Sequence, residues 1–133
     1  MNNKILEEIV ELRNDYGLII PIEFAEFISN VEKFEYAGVE FQIGQMELEF
    51  NSFIVCSDDE LYSSLLMWYV FNKEQLADYL IFAFGGFNDE FAIKAKGEDI
   101  GKIYHIETNE DEQEIEYICE SFNRFIEILK DNK

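Results

Sequence analysis

Between Val39 and Phe50 the chain alternates apolar and polar residues on both sides of a single break. Val39, Phe41 and Ile43 alternate with Glu40 and Gln42, Gly44-Gln45 interrupts, and Met46, Leu48 and Phe50 alternate with Glu47 and Glu49. A period of two places every second side chain on one face of a strand. The apolar set is then buried only if the two halves pair as antiparallel strands with one solvated face. Asn51-Ser52 predicts another turn before a strand at Phe53–Cys56. Further strands are predicted at 80–84, 90–95 and 102–106. Gly85-Gly86 and Asn88-Asp89-Glu90 separate the first two, and Gly97 and Gly101 precede the third.

Helical spacing flanks this meander. From Asn3 to Tyr16, Ile5, Ile9 and Leu12 share one face, with Leu6 and Val10 beside it, and Gly17 ends the run. Ile20-Pro21 opens a second helix with proline at its first helical position, followed by the stripe Phe24, Phe27 and Ile28. Ser57-Asp58-Asp59-Glu60 has capping-box spacing. Behind it, Leu61–Phe71 fits a helix through Leu61, Leu65, Trp68 and Tyr69, and a strand through Trp68–Phe71. Asn72 to Tyr79 reads as a short helical turn with Leu76 facing in. A final helix is predicted over 112–130, burying Ile115, Ile118, Phe122, Phe125, Ile126 and Leu129. No repeat or Pro/Gly/Ser linker divides the chain. The expectation is one α+β domain over residues 1–133, an antiparallel meander with N-terminal helices and a C-terminal helix packed on it.

Charge bounds the function. The chain has 29 acids against 10 bases, a net charge of −19. Nucleic-acid binding needs Lys and Arg for phosphate contacts, so it is not expected. The 48% hydrophobic content supplies a core that resists disorder and self-repulsion. The first residues carry acids where a secretory leader has its apolar stretch, and the longest apolar run, within Leu65–Phe71, is far short of a membrane span. A cytoplasmic protein without membrane contact is expected, with Cys56 and Cys119 as reduced, buried thiols.

No catalytic or cofactor signature is found in the residues. His105 is the one histidine, lacks a cysteine partner at any recognised spacing, and reads as a solvent-edge or hydrogen-bonding histidine. Asp58-Asp59-Glu60 and Asp89-Glu90 lack the alternation and central glycine of a calcium loop. Gly85-Gly86 leads into a strand rather than a helix, so it reads as hairpin or bulge geometry and not as a phosphate cradle. A non-enzyme without metal or cofactor is expected.

Several short motifs point to a family. Ile20-Pro21-Ile22-Glu23-Phe24-Ala25-Glu26-Phe27-Ile28 stands near the start. Tyr79-Leu80-Ile81, Gly85-Gly86, Gly101-Lys102-Ile103-Tyr104 and Ser121-Phe122 with Phe125 follow in order. Across roughly residues 5–130 this order resembles the SMI1/KNR4 (SUKH) superfamily, with Asn30-Val31 where that family often has Asn-Gly. The resemblance implies an α+β fold and a function exercised by binding. Many bacterial members are immunity proteins that silence polymorphic or contact-dependent toxins, often nucleases, while fungal members are regulatory interaction hubs. A cognate, basic toxin is the implied partner, and a scaffold without a toxin partner is the alternative.

The acids are the candidate partner-binding residues. One window without a base, between Lys33 and Lys73, holds Glu35, Glu40, Glu47, Glu49, Asp58, Asp59 and Glu60. A second holds Glu107, Glu110, Asp111, Glu112, Glu114 and Glu116. Such a surface is either a solvated sheet face or a match for the Lys/Arg-rich cleft of a nuclease. Trp68, Tyr69, Tyr62 and Tyr36 are the aromatic candidates for buried anchors in that contact. A free edge strand would also permit a homo-oligomer.

Overall fold

The computed structural model describes residues 3–56, 64–109 and 112–133. Its centre is a six-stranded sheet in which every neighbouring pair is antiparallel. The strands are β1 (Glu40–Ile43), β2 (Met46–Phe53), β3 (Tyr79–Gly85), β4 (Asp89–Lys94), β5 (Ile103–Thr108) and β6 (Gln113–Cys119), and they lie in chain order. Helices α1 (Asn3–Tyr16) and α2 (Ile22–Ile28) precede the sheet, α3 (Leu65–Leu76) joins β2 to β3, and α4 (Phe122–Asp131) ends the chain. This is a small α+β domain, as expected.

Phenylalanine fills the core on one face of the sheet. Phe122 of α4 lies 5.0 Å from Phe24 of α2 and 5.4 Å from Phe82 of β3, ring to ring. Phe125 meets Phe91 at 5.4 Å and Phe41 at 6.0 Å, which ties α4 to β4 and β1. Such edge-on and tilted contacts add to the area these side chains remove from water. On the other face Trp68 of α3 packs on Phe84 of β3 at 5.0 Å, and Tyr69 meets Tyr16 of α1 at 5.5 Å.

A buried carboxylate joins the parts. Glu8 of α1 accepts hydrogen bonds from Ser64 Oγ at 3.0 Å, Leu66 N–H at 3.0 Å and Cys56 Sγ at 3.1 Å. It therefore satisfies an orphan donor at the start of α3, while Ser64 caps Met67 N–H at 3.1 Å. Cys56 and Cys119 are free and buried, as predicted.

Three expectations change. The helix predicted over 112–130 is β6 followed by α4. Ile115 and Ile118 have helical spacing with Phe122, but pairing with β5 takes residues 113–119 as a strand, which leaves Ile115 39% exposed. Ser121 then accepts a hydrogen bond from Arg124 N–H at 3.1 Å and starts the helix. Second, Asn51-Ser52 makes no turn, and the separate strand predicted at Phe53–Cys56 does not form, because β2 ends at Phe53. β2 runs through Asn51-Ser52, and a register shift between Phe50 and Ser52 lets Ser52 and Phe53 both be buried. Third, the ambiguous 61–71 segment and the short turn at 72–79 give one helix from Leu65 to Leu76, with Tyr79 opening β3. The capping box predicted at Ser57 lies outside the described residues. Elsewhere the ends differ by a residue or two. Pro21 stands just before α2 at φ −59°, and β4 and β5 begin at Asp89 and Ile103.

Candidate functional site

The β3–β4 connection is held by close packing. A Cβ on Gly85 would lie 2.6 Å from the Glu49 carbonyl oxygen and 2.9 Å from Asp89 Cβ, so only glycine fits. Gly86 N–H donates to that same Glu49 oxygen at 3.2 Å, and Asp89 N–H donates to the Gly86 oxygen at 3.1 Å. These bonds pin the connection to β2 and turn it within four residues. At the tip stands Phe87, with φ 55° and its side chain fully exposed. A left-handed conformation is costly for a bulky residue, and an exposed ring contributes no packing in return.

Carboxylates surround this ring. On one side Phe87 borders a recess lined by Glu40, Glu47, Glu49 and Asp89. On the other it borders a recess lined by Glu47, Asp89, His105, Glu107 and Glu116. Residues of β2 and β6 lining one hollow mean that the sheet curls. The curl brings together the two base-free windows, which lie about half the chain apart. Glu40 pairs with Glu49 across β1–β2, and Glu107 with Glu114 across β5–β6. Among the described residues, the ion pairs of lysine and arginine that can be placed are Lys94–Asp78, Lys102–Asp99 and Arg124–Glu127. None reaches the acids around Phe87.

His105 lies beneath this rim. It is 3% exposed, and its Nε2–H donates to Asp89 Oδ1 at 2.8 Å. Nδ1 is buried, with no hydrogen-bond partner among the described residues. The histidine is thus hydrogen-bonded as expected, but it sits in an interior strand and not at a solvent edge. Glu90 points to the opposite face of β4, where Thr108 Oγ1 donates to Oε1 at 3.1 Å. Burial there pushes the Glu90 carboxyl above its ordinary value, partly offset by that hydrogen bond.

The predicted partner-binding residues divide. Glu40, Glu47 and Glu49 are exposed and border Phe87. Glu35 is exposed elsewhere, in a hollow with Phe27, Asn30 and Tyr36. Glu112 is exposed in the β5–β6 connection, where its backbone pairs with Asn109. Asp58, Asp59, Glu60, Glu110 and Asp111 lie outside the described residues. Two of the aromatic anchors are corrected. Tyr36 and Tyr69 are buried, Tyr69 donating to the Ala77 oxygen at 2.8 Å, and Trp68 packs on Phe84. Tyr62 lies outside the described residues. Phe87 went unnoticed in the sequence, although an isolated phenylalanine between Gly86 and Asn88, inside a turn, was the available signal.

Among the described residues no helix is long and apolar enough to cross a membrane, and no group of three or more His, Cys, Asp or Glu side chains is placed to hold a metal ion. No protein-family model, curated protein or solved structure matches the chain.

Proposed function

We propose that this chain is an immunity protein of the SMI1/KNR4 type that neutralises a cognate, basic toxin in the cytoplasm by stoichiometric association. The observation that carries the reading is Phe87, an exposed aromatic ring at a pinned hairpin tip with carboxylates on both sides. Carboxylates arranged this way attract a Lys/Arg-rich cleft from a distance and speed association. An aromatic side chain at the centre then supplies burial that holds the complex. The inhibitor does no chemistry in this scheme. It fills the cleft through which a nuclease would take its own polyanionic substrate. The order of short motifs from Ile20-Pro21 to Phe125 supports the same assignment.

The test is co-expression with the toxin encoded beside this gene. A 1:1 complex and restored growth are expected, with both weakened by Phe87→Ala. Absence of a complex at micromolar concentration, with no rescue of growth, overturns the proposal and favours a regulatory scaffold.

A further inference from the structure

Strand β6 ends the sheet, and among the described residues no backbone group of Gln113–Cys119 bonds outward. The phase of its ladder is set at the hairpin end. Asn109 N–H donates to the Glu112 oxygen at 2.8 Å and Glu112 N–H to the Asn109 oxygen at 3.3 Å, so these two form a hydrogen-bonded pair. Bonded and non-bonded pairs alternate along an antiparallel ladder. Counting along the register, Glu114 and Glu116 bond to β5, whereas Gln113, Ile115 and Tyr117 aim their N–H and C=O groups away from the sheet. The side chains alternate in the same rhythm. Ile115 and Tyr117 are 39% and 48% exposed on one face, while Glu114 and Glu116 occupy the other.

We infer that β6 is a docking edge for an extended cationic segment of the partner, which adds as a seventh strand. Its apolar residues cover Ile115 and Tyr117, its lysines or arginines meet Glu114 and Glu116, and its backbone takes up the open groups of Gln113, Ile115 and Tyr117. Charge selects this occupant over a second copy of the chain. Two β6 edges side by side would bring Glu114 and Glu116 of both copies together, between molecules each carrying a net charge of −19. The acids therefore guard the edge against self-pairing and leave it open to a strand of opposite charge. The inference rests on the reading of the partner as basic, and it assigns a contact separate from Phe87.

The experiment uses the full chain and a short capped peptide in which lysine and valine alternate. At saturating peptide, amide exchange at Ile115 and Tyr117 is expected to slow at least about tenfold, with Glu114 and Glu116 little changed. A block isomer, with the lysines followed by the valines, should bind weakly and protect neither amide. The alternating peptide N-methylated at every second residue should also fail. Ile115→Pro, which removes an outward N–H without touching the ladder to β5, should abolish binding, whereas Ile115→Thr retains it. Phe87→Ala should leave peptide binding unchanged. Equal binding by the block or N-methylated peptide overturns the inference, as does a free chain that is already dimeric with Ile115 and Tyr117 protected. A toxin complex that needs Phe87 but tolerates Ile115→Pro overturns the edge contact alone. Peptide addition without any toxin complex overturns the immunity reading alone.

Discussion

Glu40 and Glu49 stand directly opposite each other in the β1–β2 ladder, and the ion pairs Lys94–Asp78, Lys102–Asp99 and Arg124–Glu127 involve neither of them. Like charges at paired positions oppose folding. Replacing Glu40 with Gln should therefore stabilise the chain, by about 0.2–1 kcal/mol, and raise its urea midpoint without altering the slope. On the proposed immunity reading, the same substitution should slow capture of a basic partner in stopped-flow mixing at low salt. A loss of stability would refute the repulsion.

Phe87→Gly is expected to behave in a similarly divided way. Relief of the left-handed backbone is worth about 1 kcal/mol, reduced by the greater freedom of glycine in the unfolded chain. Thermal unfolding should show equal or higher stability, while partner affinity falls. Loss of stability would mean that the ring packs in the fold.

Glu8→Ala removes the acceptor shared by Ser64, Leu66 and Cys56 and leaves donors at the start of α3 buried. A cost of about 2–4 kcal/mol is expected from denaturant unfolding. Amide exchange should quicken first in the first turn of α3. Uniform quickening across the sheet would argue that Glu8 does not act locally.

Glu90 ties stability to pH. Its folded carboxyl is harder to ionise than the unfolded one because burial disfavours the charge. The resulting cost is absent below the unfolded value, rises as pH climbs through the raised folded value, and is complete near neutrality. Glu90→Gln should thus stabilise the chain at about pH 7 and make little difference at about pH 4. An advantage of equal size at both pH values would exclude ionisation as its source.

The two thiols should be inert in the native chain. Desolvation pushes Cys56 up to about 12, helped by the hydrogen bond it donates to Glu8, and Cys119 up to about 11, despite a backbone hydrogen bond at each that favours the thiolate. The thiolate is the reactive form, so a disulfide reagent at mildly alkaline pH should modify them only after denaturation. Rapid labelling of the folded protein would contradict their burial.

The sequence disclosed most of this architecture through periods that agree with tertiary demand. Ile5, Ile9 and Leu12 mark α1 correctly, and the Val39–Phe50 alternation marks the first hairpin, because burial and local pattern coincide there. At Ile115 they diverge. The same residue fits a helical stripe with Ile118 and Phe122, and only its partner Ile106 across the ladder decides for a strand. The site was half legible for a related reason. Glu40, Glu47 and Glu49 could be placed on a solvated face by alternation alone. Their meeting with Glu107 and Glu116 depends on the curl of the sheet, and Phe87 stands out only once its exposure is known.

On the proposed reading, the tip at Phe87 separates what the chain recognises from what keeps it folded. The pinning belongs to Gly85, Gly86 and Glu49, and the ring itself touches no part of the core. Residue 87 can therefore vary without disturbing the core, among side chains that tolerate its left-handed backbone, while its neighbours stay fixed. A lineage pursuing a changing partner can revise this one side chain and inherit the scaffold intact.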